Sequence, residues 1–246
     1  MTKMKKIALI AVCAMLLVCV TIGATVAYLT STDKVENTFA VGKVKITLDE
    51  AQVDTEGNPA PGTDANPNPR VKENSYKLMP GHTYTKDPTV TVKAPSEESY
   101  VRLKVTFNNA SKIIALCTDP EFAGEITGVE NAFPLICMVN FVEANAAKWE
   151  GIIPDNMLEM EDMLADAKYF VEGTDTLTYY FYYKTTVAAP TADVKLPVLF
   201  NTITVPEWAT GAQLDALNNF KITAVAEAIQ ADGFDTADAA WAAYNG

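Results

Sequence analysis

"ESYVRLKVTFNN", residues 98–109, alternates with a period of two: Val101, Leu103, Val105 and Phe107 share one side of an extended chain, and Arg102, Lys104 and Thr106 share the other. A strand with one face in a core reads this way. The segments around it repeat the pattern. In "NTFAVGKVKITLDE" (37–50), Val44, Ile46 and Leu48 oppose Lys43, Lys45 and Thr47. "PTVTVKAP" (88–95) sets Val90 and Val92 on one face between two prolines. Ahead of it, Pro80-Gly81 is a type II turn signal, because Pro fixes φ at the second position and Gly supplies φ > 0 at the third.

Downstream, "DTLTYYFYYKTTV" (175–187) is apolar on both sides, so both faces are expected to be covered. "KLPVLFNTITVPEW" (195–208) and "FKITAVAEAIQADGF" (220–234) follow as strands, the second against the helix propensity of its alanines. "TGAQLDALNNF" reads as a short helical turn. In "DTADAAWAAYNG" Asp235 is placed to cap a terminal helix, with Trp241 and Tyr244 at i, i+3 docking it.

Two stretches break the strand pattern. "AQVDTEGNPAPGTDANPNPR" (51–70) holds four prolines and several acids, and predicts a long mobile loop with no sheet ladder and nothing to bury. The segment from about 140 to 170 is rich in Ala, Met and Glu and predicts a helical insertion. Pro154 and Asp155 would start its helix, with Met157, Met160, Leu164 and Ala167 as a stripe at helical spacing, either packing surface or a partner groove. The sum is about seven to nine strands with a helical insertion and a short C-terminal helix, an all-β antiparallel two-sheet sandwich.

The first residues follow the layout of an export signal. "MTKMKK" is basic, Ile7 to Leu29 is apolar, and Thr25-Val26-Ala27 fits the small-residue positions of a signal-peptidase site, with cleavage between Ala27 and Tyr28. The apolar run is also long enough to stay in a bilayer as an anchor, but its last turn is weakened by Gly23, Ala24, Thr25 and Ala27, and no basic cluster follows. Cys19 is preceded by Val18 where a lipoprotein signal wants Gly, Ala or Ser. Residues 28–246 then form a single domain. The net charge of −12 becomes −15 when Lys3, Lys5 and Lys6 leave with the leader. A charge of that sign repels nucleic acid and anionic lipid, so neither is expected as a partner of the mature chain.

Catalytic patterns are thin. The chain has one histidine, His82, which excludes the two-imidazole helix of a zinc protease and leaves any Ser-His or Cys-His arrangement to that one residue in a turn. Glu159, Glu161, Asp162 and Asp166 cluster, but without the spacing of a calcium loop. No catalytic, cofactor or metal residue is assigned, and the chain is not expected to be an enzyme. Cys117 and Cys137 are the cysteines outside the leader; export would permit a disulfide, and two buried thiols fit the apolar segments equally.

The ordered set "GATVAYLTSTDKVENTFAVGKVKI", "KLMPGHTYTKDPTVTVKA", "YVRLKV", "ITAVAEAIQADGF" and "DTADAAWAAY" resembles the TasA/camelysin family of secreted Gram-positive proteins. The likeness covers the leader, the first strands and the C-terminal third, and leaves 110–170 out. It implies a jelly-roll-like sandwich, a leader cut by a SipW-type signal peptidase, and a secreted protein, associated with the cell surface, that self-associates into biofilm-matrix fibres or joins related matrix proteins. In the family's fibre, the N-terminal segment of one subunit completes a sheet of the next. Carried over, that segment begins at Tyr28 and Leu29 and includes Val35, Phe39 and Val41. The same segment could instead fold back as the first strand of its own domain, since both arrangements satisfy its backbone. A monomeric cell-surface binding module, using the aromatics of "YYFYY" and the 51–70 loop, is the alternative; a camelysin-like protease is a distant third.

Overall fold

The computed structural model describes residues 43–63, 66–118, 128–189 and 191–245. The cleavage site Ala27/Tyr28 and the assembly residues Tyr28, Leu29, Val35, Phe39 and Val41 lie outside the described residues. The fold is mostly β, and every strand pair is antiparallel. The strands form three hydrogen-bonded sheets, where the sequence pattern predicts two.

The largest sheet is built on β5 (Ser96–Asn108). It is flanked by β9 (Thr176–Tyr183) on one side and β13 (Ile222–Gln230) on the other, with β10 (Val187–Ala189) also pairing to β5. Both β7 (Trp149–Glu150) and β8 (Phe170–Glu172) pair with β9. The second sheet runs β11 (Val194–Lys195), β4 (Thr89–Val92), β1 (Ile46–Ala51), β2 (Arg70–Val71). The third runs β3 (Thr83–Thr85), β12 (Phe200–Thr204), β6 (Val139–Phe141).

The alternation in β5 sets the core. Val101, Leu103, Val105 and Phe107 are at most 1% exposed, and Phe181, Tyr179 and Leu177 of β9 lie opposite the last three. On the other flank, Ala228, Ala226, Ala224 and Ile222 of β13 lie opposite all four residues. This register explains how an alanine-rich segment becomes a strand. Its small side chains pack beside large ones on one face, and that tertiary fit overrides helix propensity. The Pro80-Gly81 turn is present: the His82 N–H donates to the Met79 carbonyl at 3.2 Å, and Gly81 has φ 69°.

The 51–70 segment departs from expectation. β2 pairs with the end of β1, and bridges join Val53 to Pro59 and Thr63 to Asn66. Asp54 Oδ1 accepts the N–H groups of Glu56 and Asn58, both at 2.9 Å. The residues that mark a loop by composition also cap its backbone. Gly57 is buried at φ 81°, and a Cβ at that position would lie only 2.8 Å from Tyr84 Cα. At the base, Arg70 pairs with Asp49 and with Asp87, and reaches Thr89 Oγ1 at 2.7 Å. Gly57→Ala is expected to cost about 1–2 kcal/mol from the left-handed φ alone, before the overlap with Tyr84. Thermal melting checks this; an unchanged midpoint would mean that the loop does not dock as described.

The expected helical insertion is also different. Short helices stand at α1 (Ala110–Cys117), α2 (Phe133–Met138), α3 (Glu143–Ala146) and α4 (Met157–Ala165), but β6, β7 and β8 interleave with them and belong to the sheets. Aromatic anchors impose this: Trp149 is 3% exposed and its Nε1 donates to the Pro197 carbonyl at 3.1 Å, and Phe170 is buried against Tyr179. Helix α4 starts at Met157 rather than at Pro154 and Asp155, capped by Asn156, whose Oδ1 accepts the Leu158 N–H. Its buried side is Met163; Met157 is exposed, and Ala167 lies beyond the helix. Downstream, α5 (Gly211–Ala216) carries a capping box from Thr210 and Gln213. In the last helix, α6 (Ala237–Asn245), Thr236 rather than Asp235 caps: its Oγ1 accepts the Ala239 N–H at 3.2 Å.

Candidate functional site: an open sheet edge backed by a C-terminal latch

The backbone of β13 can be sorted by direction. The Lys221 carbonyl accepts from Asn108 N–H, and the Ala231 N–H donates to the Glu98 carbonyl. Both groups face β5, and the register between them is continuous. Odd-numbered residues of β13 therefore direct their backbone toward β5. Ile222, Ala224, Ala226, Ala228 and Gln230 direct theirs outward. Among the described residues no strand pairs with that outer edge. β1 approaches β13 without forming a ladder to it.

An edge of nine regular residues is a template for another strand, and proteins usually blunt such edges with Pro, Lys, a bulge or an exposed charge. "ITAVAEAIQ" has no Pro, no Lys and no bulge. Its one charge, Glu227, is turned away to Arg102 Nε at 2.6 Å.

Arg102 sits at the centre of the sheet's other face and is only 2% exposed. Its guanidinium carbon lies 4.3 Å from the ring centre of Trp241, 4.8 Å from Tyr180 and 5.2 Å from Tyr244. Its Nη2 donates to Asn245 Oδ1 at 2.8 Å. The cation is enclosed by four rings, counting Tyr182 at 5.8 Å, and by one carboxylate. Two of the rings belong to α6, which is thereby latched over the outer face of β5 and β9. Lys168 ties in from the side, with Nζ 2.8 Å from Asp238 and 3.3 Å from Glu150. Burial opposes its ammonium, but the hydrogen bond to Asp238 and the attraction of Glu150 outweigh it, and its pKa lies above the ordinary lysine value. Burial likewise pushes the Tyr182 hydroxyl up. The alternation of the sequence puts Arg102 on the polar side of its strand and does not reveal the latch. The available signal is the pairing of an Arg with Tyr180 and Tyr182 on the same side of the next strand, together with Trp241 and Tyr244.

The other sequence candidates fall elsewhere. Tyr179, Phe181 and Tyr182 are buried, and Tyr180 and Tyr183 half-buried, so "YYFYY" makes core and latch contacts rather than an aromatic platform. His82 is half-buried, its Nε2 2.7 Å from the Glu56 carbonyl oxygen and its ring edge-on to Tyr84. Asp166 caps α4 and accepts the Lys168 N–H at 2.8 Å. Among the described residues no three acid, His or Cys side chains converge to hold a metal ion. Leu135, Ile136, Phe141, Ile153 and Met160 line a shallow apolar groove of about 300 Å³. Cys117 and Cys137 are brought together at the packed ends of α1 and α2, both as free thiols. Comparison with family models, with curated proteins and with solved structures gives no match.

Proposed function

We propose that this chain is an exported, non-catalytic structural protein whose N-terminal segment, once freed from its leader, adds as a strand to the outer edge of β13 in a second copy, building or decorating extracellular fibres. The observation that carries this reading is the nine-residue, unblunted edge of β13. In an extended chain Val35, Phe39 and Val41 share one side, and burying each would contribute about 1.5–3 kcal/mol. The added backbone hydrogen bonds would contribute about 1 kcal/mol each. The resemblance to the TasA/camelysin family supports the same reading. With it come a jelly-roll-like arrangement of the three sheets, processing by a SipW-type signal peptidase, and a place in the matrix at the cell surface. Until the leader is cut, the segment is held at the membrane and cannot reach a neighbour.

Folding back as a strand of its own domain would satisfy the segment's backbone equally. Electron microscopy separates the two. A chain starting at Tyr28 is expected to form fibres, and one starting at Gly42 is expected to remain dispersed. Fibres from both, or from neither, would defeat assembly through this segment.

A further inference from the structure

Cys117 is the last residue of α1, and Cys137 is the penultimate residue of α2. The helices pack on each other, held by Ile113, Leu116, Leu135 and Met138, all at most 1% exposed. Cys117 is 5% exposed; Cys137 is half-buried and packs against the same cluster. The two thiols are close neighbours in this packing, and both lie near Tyr179. Neither thiol has a role in the latch or the open edge. Among the described residues no third acid, His or Cys side chain joins them.

We propose that Cys117 and Cys137 are a redox pair that closes reversibly into a disulfide within the folded protein, stapling α1 to α2 against the main sheet. The two sulfurs are not equivalent. Burial pushes the Cys117 thiol far up, so it is a poor first nucleophile. Cys137 reaches solvent and attacks first. Its thiolate breaks the S–S bond of a small disulfide such as oxidised glutathione, and one small thiol leaves with a proton. Cys117 then gives up its proton, and its sulfur displaces the second small thiol from the mixed disulfide. Two protein thiols and one small disulfide become one protein disulfide and two small thiols, a two-electron exchange. Outside the cell such an oxidant is available, but the geometry itself does not depend on the assembly reading.

The sequence makes the test clean. No Lys or Arg lies between Lys112 and Lys148, so trypsin releases both cysteines in one peptide, Ile113 to Lys148. Native protein incubated with oxidised glutathione should yield this peptide lighter by two hydrogens, with no glutathione retained. Its melting midpoint should rise by about 5 °C or more. In Cys117→Ala, glutathione should remain attached at Cys137; in Cys137→Ala, Cys117 should stay unmodified. Two thiols surviving in the equilibrated native wild-type protein would overturn the proposal, as would a glutathione adduct that Cys117 does not resolve. The wild-type measurement decides without either variant.

Discussion

Arg102→Ala is expected to lower the melting midpoint by about 6–20 °C, from a loss of about 3–5 kcal/mol when one member of a buried ion pair is removed. The size follows from what is stranded. Glu227 keeps its charge on a largely buried face, Asn245 loses its donor, and Trp241, Tyr180 and Tyr244 lose the cation they enclose. The loss should be local in its first effect. Helix α6 should come free and be cut by protease before the sheet unfolds, because β5 keeps both its neighbours. Arg102→Met with Glu227→Leu should recover more than half of the loss, since the pair is then replaced by apolar volume rather than broken. A small shift in Arg102→Ala, or no rescue by the double change, would show that α6 is held by its aromatic packing alone.

Ala226→Pro is expected to leave a folded protein that does not assemble. The N–H of Ala226 faces outward, so the proline removes a group that β5 does not use. Prolines are tolerated in edge strands on that side. Val225→Pro, one residue away, removes a ladder bond to β5 and strands its acceptor, which should cost about 1–3 kcal/mol in stability. The contrast between neighbouring positions is the test. If Ala226→Pro forms fibres at the same concentration as the parent, the outer edge of β13 is not the acceptor. If it unfolds while Val225→Pro does not, the assignment of backbone directions is reversed.

Much of this architecture is legible in the sequence wherever burial follows a simple period. β4, β5, β9 and β13 and the Pro80-Gly81 turn fall where alternation and turn chemistry put them. Prediction fails where composition and contact diverge. The 51–70 segment has loop residues, but Asp54 and Gly57 order it against Tyr84, a distant contact that no local pattern encodes. The 140–170 segment has helix-forming composition, yet Trp149 and Phe170 draw its ends into strands on β9. The open edge is a matter of which strand lacks a neighbour, so it is visible only once β13 is placed beside β5. The latch is half legible: Trp241 and Tyr244 announce a docked helix, but not that Arg102 is what they dock on.

Residue-level hydrogen exchange along β13 distinguishes an open edge from a paired one. In the dispersed protein the amides of Thr223, Val225 and Glu227 should be protected by β5, while those of Ala224, Ala226 and Ala228 exchange quickly. In the assembled form the second set should become protected as well. Fast exchange at Ala224, Ala226 and Ala228 within fibres, or protection there before any assembly, would contradict strand addition between copies.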